Sequence, residues 1–193
     1  MEKLIVKGVD LSEFIGIRYE ISRHPGNTSV DEFLADTSGG ANCQLFTLGV
    51  ERKAGFYIDD QLSMEPDGRF GSRELWLDTK YTKCVIGGWY RRPNILWDLF
   101  CEGELSVFDI YFFLPPGINF SGENVYTDDD LFKKFHTAVF IGFDFGGSGL
   151  VSNLRRAFLH NAKPGPSATW SLEDFKESGY TLFGVKRPIC RAT

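Results

Sequence analysis

The chain has 193 residues, 42% of them apolar and 24% charged, with 18 phenylalanines and a net charge of −5. That is enough material for one aromatic-rich core, read as a single domain over 1–193, and the acidic balance excludes a broad nucleic-acid footprint. No run reaches the roughly 18 apolar residues of a membrane span, and the opening "MEKLIVKGVDLSEF" lacks the basic segment and long apolar run of a signal peptide.

The expected location is therefore cytoplasmic as synthesised, with no nucleic-acid or membrane partner; the oligomeric state is left open. The arginine pairs Arg91-Arg92 and Arg155-Arg156 are isolated and do not form a basic stripe. Cys43, Cys84, Cys101 and Cys190 are irregularly spaced, which gives neither a zinc knuckle nor a redox pair and leaves free thiols as the expectation.

In chain order, "SVDEFLADT" (29–37) predicts a short helix with Ser29 as N-cap and acidic residues in the first turn. Residues 43–53 predict a second helix, with Gly55 placed to stop it. A third is expected around "GSRELWLDT", capped by Ser72. Strands follow: "SVFDIYFFLP" (106–115), "FHTAVFIGF" (135–143) and "AFLHNA" (157–162), each aromatic or β-branched. "SLEDFKESG" (171–179) reads as a helix with Ser171 and Asp174 at capping-box spacing, and "YTLFGVKRP" (180–188) as a closing strand. Helices first and antiparallel strands after them give an α+β fold. The polar stretch between 114 and 135 reads as a loop insertion that borders the site.

Cys43 stands at the start of a predicted helix, where unpaired N–H groups favour a thiolate and can hold an oxyanion. Gly39 and Gly40 just before it leave room for a substrate to approach the backbone. An isolated cysteine is more often a small buried hydrophobe, so position alone does not make it a nucleophile. A thiol nucleophile needs a base, and the base a third polar group. Two of the three histidines lie in predicted strands: His136 shares a face with Ala138 and Phe140, opposite Thr137, Val139 and Ile141, so it looks away from the core into a cleft. His160 ends the next strand, and Asn161, its neighbour on the opposite face, is the competing third residue. His24, in "SRHPGN", reads as an exposed loop residue.

Zinc on Cys43, His136 and His160 would lack any ligand pair at short spacing, so neither a metal nor another cofactor is expected. Asp128-Asp129-Asp130 reads as the solvated start of a helix, and "DFGGSG" has no P-loop lysine.

The order of these pieces resembles the NlpC-type cell-wall cysteine peptidases of the papain-like superfamily. "IGIRYEI" (15–21) is similar to that family's G-x-P-Y-x-x-G segment, with Tyr19 at the tyrosine. "GGANCQLFTLGVERKAG" is similar to its nucleophile helix, "VFDIYFF" (107–113) to its GDLVFF strand, and "HTAVFIG" to the strand carrying the base. "AFLHNA" resembles the segment with the third polar residue and "LFGVKRP" the closing strand. The resemblance spans most of the chain. It departs at the nucleophile, where Asn42-Cys43-Gln44-Leu45 replaces Asp-Cys-Ser-Gly, and in longer stretches before His136 and between His136 and His160.

The resemblance implies N-terminal helices packed on a central antiparallel sheet, with the nucleophile at a helix N-terminus. It implies amide cleavage in peptidoglycan stem peptides through an acyl-enzyme, with Cys43 attacking, His136 as base and His160 holding the base. The Cys43 N–H and Tyr19 would serve the oxyanion, with Asn42 and Gln44 at the substrate. The partner is then a peptide or muropeptide, reached in the cytosol or after delivery by lysis, a phage or a secretion system. Other acyl chemistry (transfer, deamidation or ester cleavage) and a non-catalytic binding module stay open.

Overall fold

The computed structural model describes residues 3–60, 72–86, 106–117, 135–145 and 154–192. Two short strands, β1 (Ile5–Val6) and β2 (Val9–Asp10), form a hairpin through Lys7 and Gly8, both at positive φ. Helix α1 (Val30–Ala35) follows, then a 3-10 turn over Thr37–Gly39, helix α2 (Cys43–Lys53) and α3 (Ser72–Leu77). The strands are β3 (Thr82–Ile86), β4 (Ile110–Leu114), β5 (His136–Phe145), β6 (Leu154–His160), β7 (Ala168–Ser171) and β8 (Thr181–Pro188). Helix α4 (Leu172–Glu177) lies between the last two. The six strands form one antiparallel sheet in the order β3-β8-β4-β5-β6-β7, so the chain is α+β.

Local chemistry explains the helix boundaries. Ser29 and Glu32 form a reciprocal capping box on α1, and Ser171 and Asp174 do the same on α4. Asn42 caps α2 by accepting from Leu45 N at 2.8 Å. At the other end Gly55, at φ 82°, donates to Arg52 O while Phe56 donates to Glu51 O, which closes the helix in a Schellman turn. In α3, Ser72 is the first helical residue, and the cap position before it lies outside the described residues.

The core has two parts, one on each face of the sheet. Helices α1 and α2 cover one face, where Phe14, Phe33, Phe46, Phe112, Phe135, Val139 and Leu159 are buried together. Helix α4 covers the other, over Tyr111, Phe113, Phe140 and Phe158. Strand β4 is buried at all five positions, which explains its continuous apolar run. Helix α2 is buried from Cys43 to Glu51. A Cβ at Gly49 would fall 2.5 Å from the Phe33 ring, so the glycine is what lets α1 pack this close.

Several expected boundaries move. Strand β4 begins at Ile110, not at 106, because Ser106 N donates to the Asp109 carboxylate and Phe108 turns to φ 74°, making a turn of those residues. Strand β6 runs Leu154–His160 and stops before Asn161. Strands β3 and β7 and the β1–β2 hairpin carry no signal in the sequence reading; all are short, and β3 owes its pairing to β8, far along the chain. Gly39 and Gly40 do not open the backbone to a substrate. An added Cβ would meet the Arg23 side chain at Gly39 and both the side chain and carbonyl of Arg18 at Gly40, so those arginines fill the space. The expected insertion lies beyond Gly117 outside the described residues, as do Asp128-Asp129-Asp130, Arg91-Arg92, Cys101 and the glycines of "DFGGSG". Arg155 and Arg156 fall within β6. The other three cysteines are free.

Candidate active site

The site assembles where α2 begins against β5. Thr137, whose side chain faces α2, donates its hydroxyl to Cys43 O at 3.1 Å and shares a 2.9 Å hydrogen bond with the Thr47 hydroxyl one turn further along the helix. Gln44 Nε2 donates to Phe135 O at 3.4 Å, and the Cys43 thiol points to the same carbonyl at 3.9 Å. The thiol thus lies against the first residues of β5, on either side of His136 in sequence.

Sheet register brings the two histidines together. Ala138 pairs with His160 across β5 and β6, which makes His136, two residues earlier on the same face, the diagonal neighbour of His160. Their ring nitrogens meet, His136 Nε2 to His160 Nδ1, at 3.1 Å. Alternation correctly separates His136 from Thr137 and Val139, but the environment it enters is no open cleft. His136 packs 6.0 Å from Phe175 and 5.5 Å from Tyr180, and His160 packs 4.3 Å from Trp170 and 4.9 Å from Phe175, measured between ring centroids. Cys43, His136 and His160 are 6%, 5% and 3% exposed, so dehydration governs their chemistry.

Burial pushes the Cys43 thiol up, and the Thr137 donors and the N–H groups of Cys43 and Gln44 only partly oppose it. Burial also pushes His136 well below the usual imidazole range, with His160 adding to the effect. His160 falls to about 4 through burial, against the pull of Asp174. The helix N-terminus therefore does not outweigh dehydration, and the resting site holds a neutral thiol and two neutral imidazoles. Among the described residues Cys43 makes no hydrogen bond to His136, and His160 Nε2 is buried without a partner.

The remaining expected site residues divide. Tyr19 bridges to Ala41 just before α2 and is pushed up to about 12 by burial and by the nearby Cys43 and Tyr180. Lys163 Nζ sits 5.6 Å from the centre of its ring. Asn42 and Gln44 are beside the thiol, but their polar groups are engaged with the protein. Asn42 caps α2 and donates to Gln44 Oε1 at 2.6 Å, while Gln44 reaches back to Phe135 O. Asn161 turns away from the imidazoles and donates to Arg18 O at 3.2 Å and Ala41 O at 3.0 Å, fixing the segments on either side of Tyr19. His24 is half-buried in its turn, with Nδ1 2.8 Å from Pro25 O, and does not belong to the cluster.

Two residues at the site escaped the sequence reading. Alternation places Thr137 on the core-facing side, where it stands, but nothing local shows that its hydroxyl holds the start of α2. Tyr180 follows Ser178-Gly179, a helix-ending signal that fixes its direction without revealing what it faces. Among the described residues no group of three or more His, Cys, Asp or Glu side chains is placed to hold a metal ion, and no helix is long and apolar enough to cross a membrane. Comparisons with protein-family models, with the curated proteins and with the solved structures find no match for the chain.

Proposed function

We propose that the chain is a cysteine hydrolase of the papain-like NlpC type that cleaves an amide bond through an acyl-enzyme. The observation that carries this reading is the 3.1 Å His136–His160 contact built by sheet register beside a cysteine that begins a buried helix. His160 occupies His136 Nε2, which leaves Nδ1 as the nitrogen that takes the thiol proton. For Nδ1 to accept, Nε2 carries the hydrogen and donates it to His160 Nδ1, and His160 keeps its own proton on Nε2, among Trp170 and Phe175.

Because the resting pair is neutral, proton transfer accompanies attack. The Cys43 thiol leaves Phe135 O, gives its proton to His136, and its sulfur bonds to the acyl carbon. The carbonyl electron pair moves to oxygen, where the Cys43 N–H and the Tyr19 hydroxyl stabilise it. Collapse breaks the C–N bond, His136 protonates the leaving amine, and water releases the acyl group. The substrate class that fits the resemblance is a peptidoglycan stem peptide.

A second reading, acyl transfer or deamidation on a different substrate, is favoured by Asn42 and Gln44: their side chains are spent on the helix cap and on Phe135, not held free for a stem peptide. Incubation with purified muropeptides, followed by mass spectrometry for new amines, tests the first reading. Cleavage is expected from the wild type and not from Cys43→Ala or His136→Ala, each checked for a native circular-dichroism spectrum. Full hydrolysis by either folded variant would sink the catalytic assignment. No cleavage of any stem type, with Cys43 still acylated by an activated ester, moves the assignment to the second reading.

A further inference from the structure

Tyr180 is aimed by a helix end. Helix α4 closes in a Schellman turn: Gly179, at φ 80°, donates to Lys176 O, and Tyr180 N donates to Phe175 O at 3.0 Å. The contact that accompanies such a turn is present, with the Tyr180 ring 5.5 Å from Phe175 and nearly perpendicular to it. Trp170 and Phe113 each lie 6.3 Å from the same ring, and its fourth neighbour is His136 at 5.5 Å. The ring is thus held on three sides by aromatic side chains and on the fourth by the proposed base.

Its hydroxyl makes no hydrogen bond among the described residues, and the Tyr19 hydroxyl makes none either. A phenylalanine would satisfy the packing that Tyr180 shows, so the oxygen is the part of the side chain that the fold does not use. Both phenols are half-buried, and both are pushed up first by burial and then by the neighbouring Cys43. They therefore remain O–H donors across the neutral range, one from the segment that bridges to Ala41 just before α2 and one from a ring 5.5 Å from that of His136.

We propose that Tyr180 is a further catalytic residue of this site, whose hydroxyl donates a hydrogen bond to the acyl oxygen as the Cys43 sulfur bonds to the acyl carbon. This rests on the reading of Cys43 as nucleophile. In the step, the S–C bond forms, the carbonyl π pair becomes an alkoxide, and the Tyr180 and Tyr19 hydroxyls and the Cys43 N–H face that oxygen. When the alkoxide collapses the C–N bond breaks, the pair returns to C=O, and the leaving nitrogen takes its proton from His136. No proton leaves Tyr180. The oxygen it serves belongs to any carboxylic acyl group, ester or amide.

Two probes of the same thiol separate this role from the alternatives. Acylation by p-nitrophenyl acetate passes through an oxyanion, whereas alkylation by iodoacetamide displaces iodide at carbon without forming one. Each rate is measured on Cys43 in the full chain, with Cys43→Ala as the background. Tyr180→Phe removes one unbonded oxygen from a half-buried side chain and keeps the ring, so the fold is retained; circular dichroism checks it. The expected result is acylation slowed about a hundredfold, in the range of a lost oxyanion donor, with the alkylation rate unchanged. Tyr180→Phe with wild-type acylation overturns the proposal. So does an equal fall in both rates, which would place Tyr180 on the thiol or the imidazole. A wild-type Cys43 inert to both probes would overturn the nucleophile reading itself, an outcome distinct from either of these.

Discussion

At the scale of single residues, dehydration decides the charge state of the site. The sequence suggested a thiolate at Cys43, because a helix N-terminus stabilises negative charge. Burial to 6% exposure reverses that sign for the thiol and lowers both imidazoles. A base that stays neutral in mild acid has a kinetic consequence. The acid limb of the Cys43 acylation rate is expected well below pH 6.5, at an apparent value shared by the coupled histidines. His160→Ala removes one of the two causes that lower His136, so the limb moves up toward the ordinary imidazole value. A pH–rate profile with p-nitrophenyl acetate reads both, and a wild-type limb at or above 6.5 would contradict the neutral buried pair.

At the scale of elements, helix α2 is both well signalled and tightly constrained. Its end was legible because the Gly55 stop acts within a few residues of the boundary, whereas Asn42, expected at the substrate, proves to be its cap. Gly49 had no such local explanation. Taken alone, Gly49→Ala would gain about 0.5–1 kcal/mol of helix propensity. The added methyl would fall 2.5 Å from Phe33 and 3.4 Å from Phe14, and overpacking a core costs about 1–3 kcal/mol. The clash is with rings fully buried between α1 and α2, so we expect a net loss of about 1 kcal/mol or more in urea denaturation. Stabilisation by Gly49→Ala would show that α1 can move away from α2. Strand β4 teaches the complementary lesson: aromatic content predicted it from 106, but the Asp109 carboxylate, held by Arg187 at 2.7 Å, turns its first residues aside.

At the scale of the whole molecule, the least expected group is Glu51, buried on α2 with neither carboxylate oxygen hydrogen-bonded among the described residues. Burial, and then Asp109, raise its carboxyl well above the ordinary range. The folded state therefore binds a proton that the unfolded chain releases above about pH 4.5. Stability from this group is complete below that pH and falls as pH rises toward the folded value, by about 1.4 kcal/mol per unit. His160 acts in the opposite sense, its contribution being complete above 6.5 and lost as pH falls toward about 4. Above 6.5 only the Glu51 trend of the two remains. Glu51→Gln, neutral at every pH, should raise the urea midpoint more at pH 8 than at pH 5; an equal change at both would disprove the raised carboxyl. Taken by itself, the sequence determined what short-range forces decide: the caps of α1 and α4, the Gly55 stop of α2, the closing strand, the face of β5 on which His136 stands, and the α+β class. The tertiary structure alone decided the rest, because register across β5 and β6 sets which histidine nitrogen meets which, and burial sets their charge. It also decided that Asn161 braces Arg18 and Ala41 and that Tyr180 faces His136, since such contacts depend on segments the chain brings together only when the sheet closes.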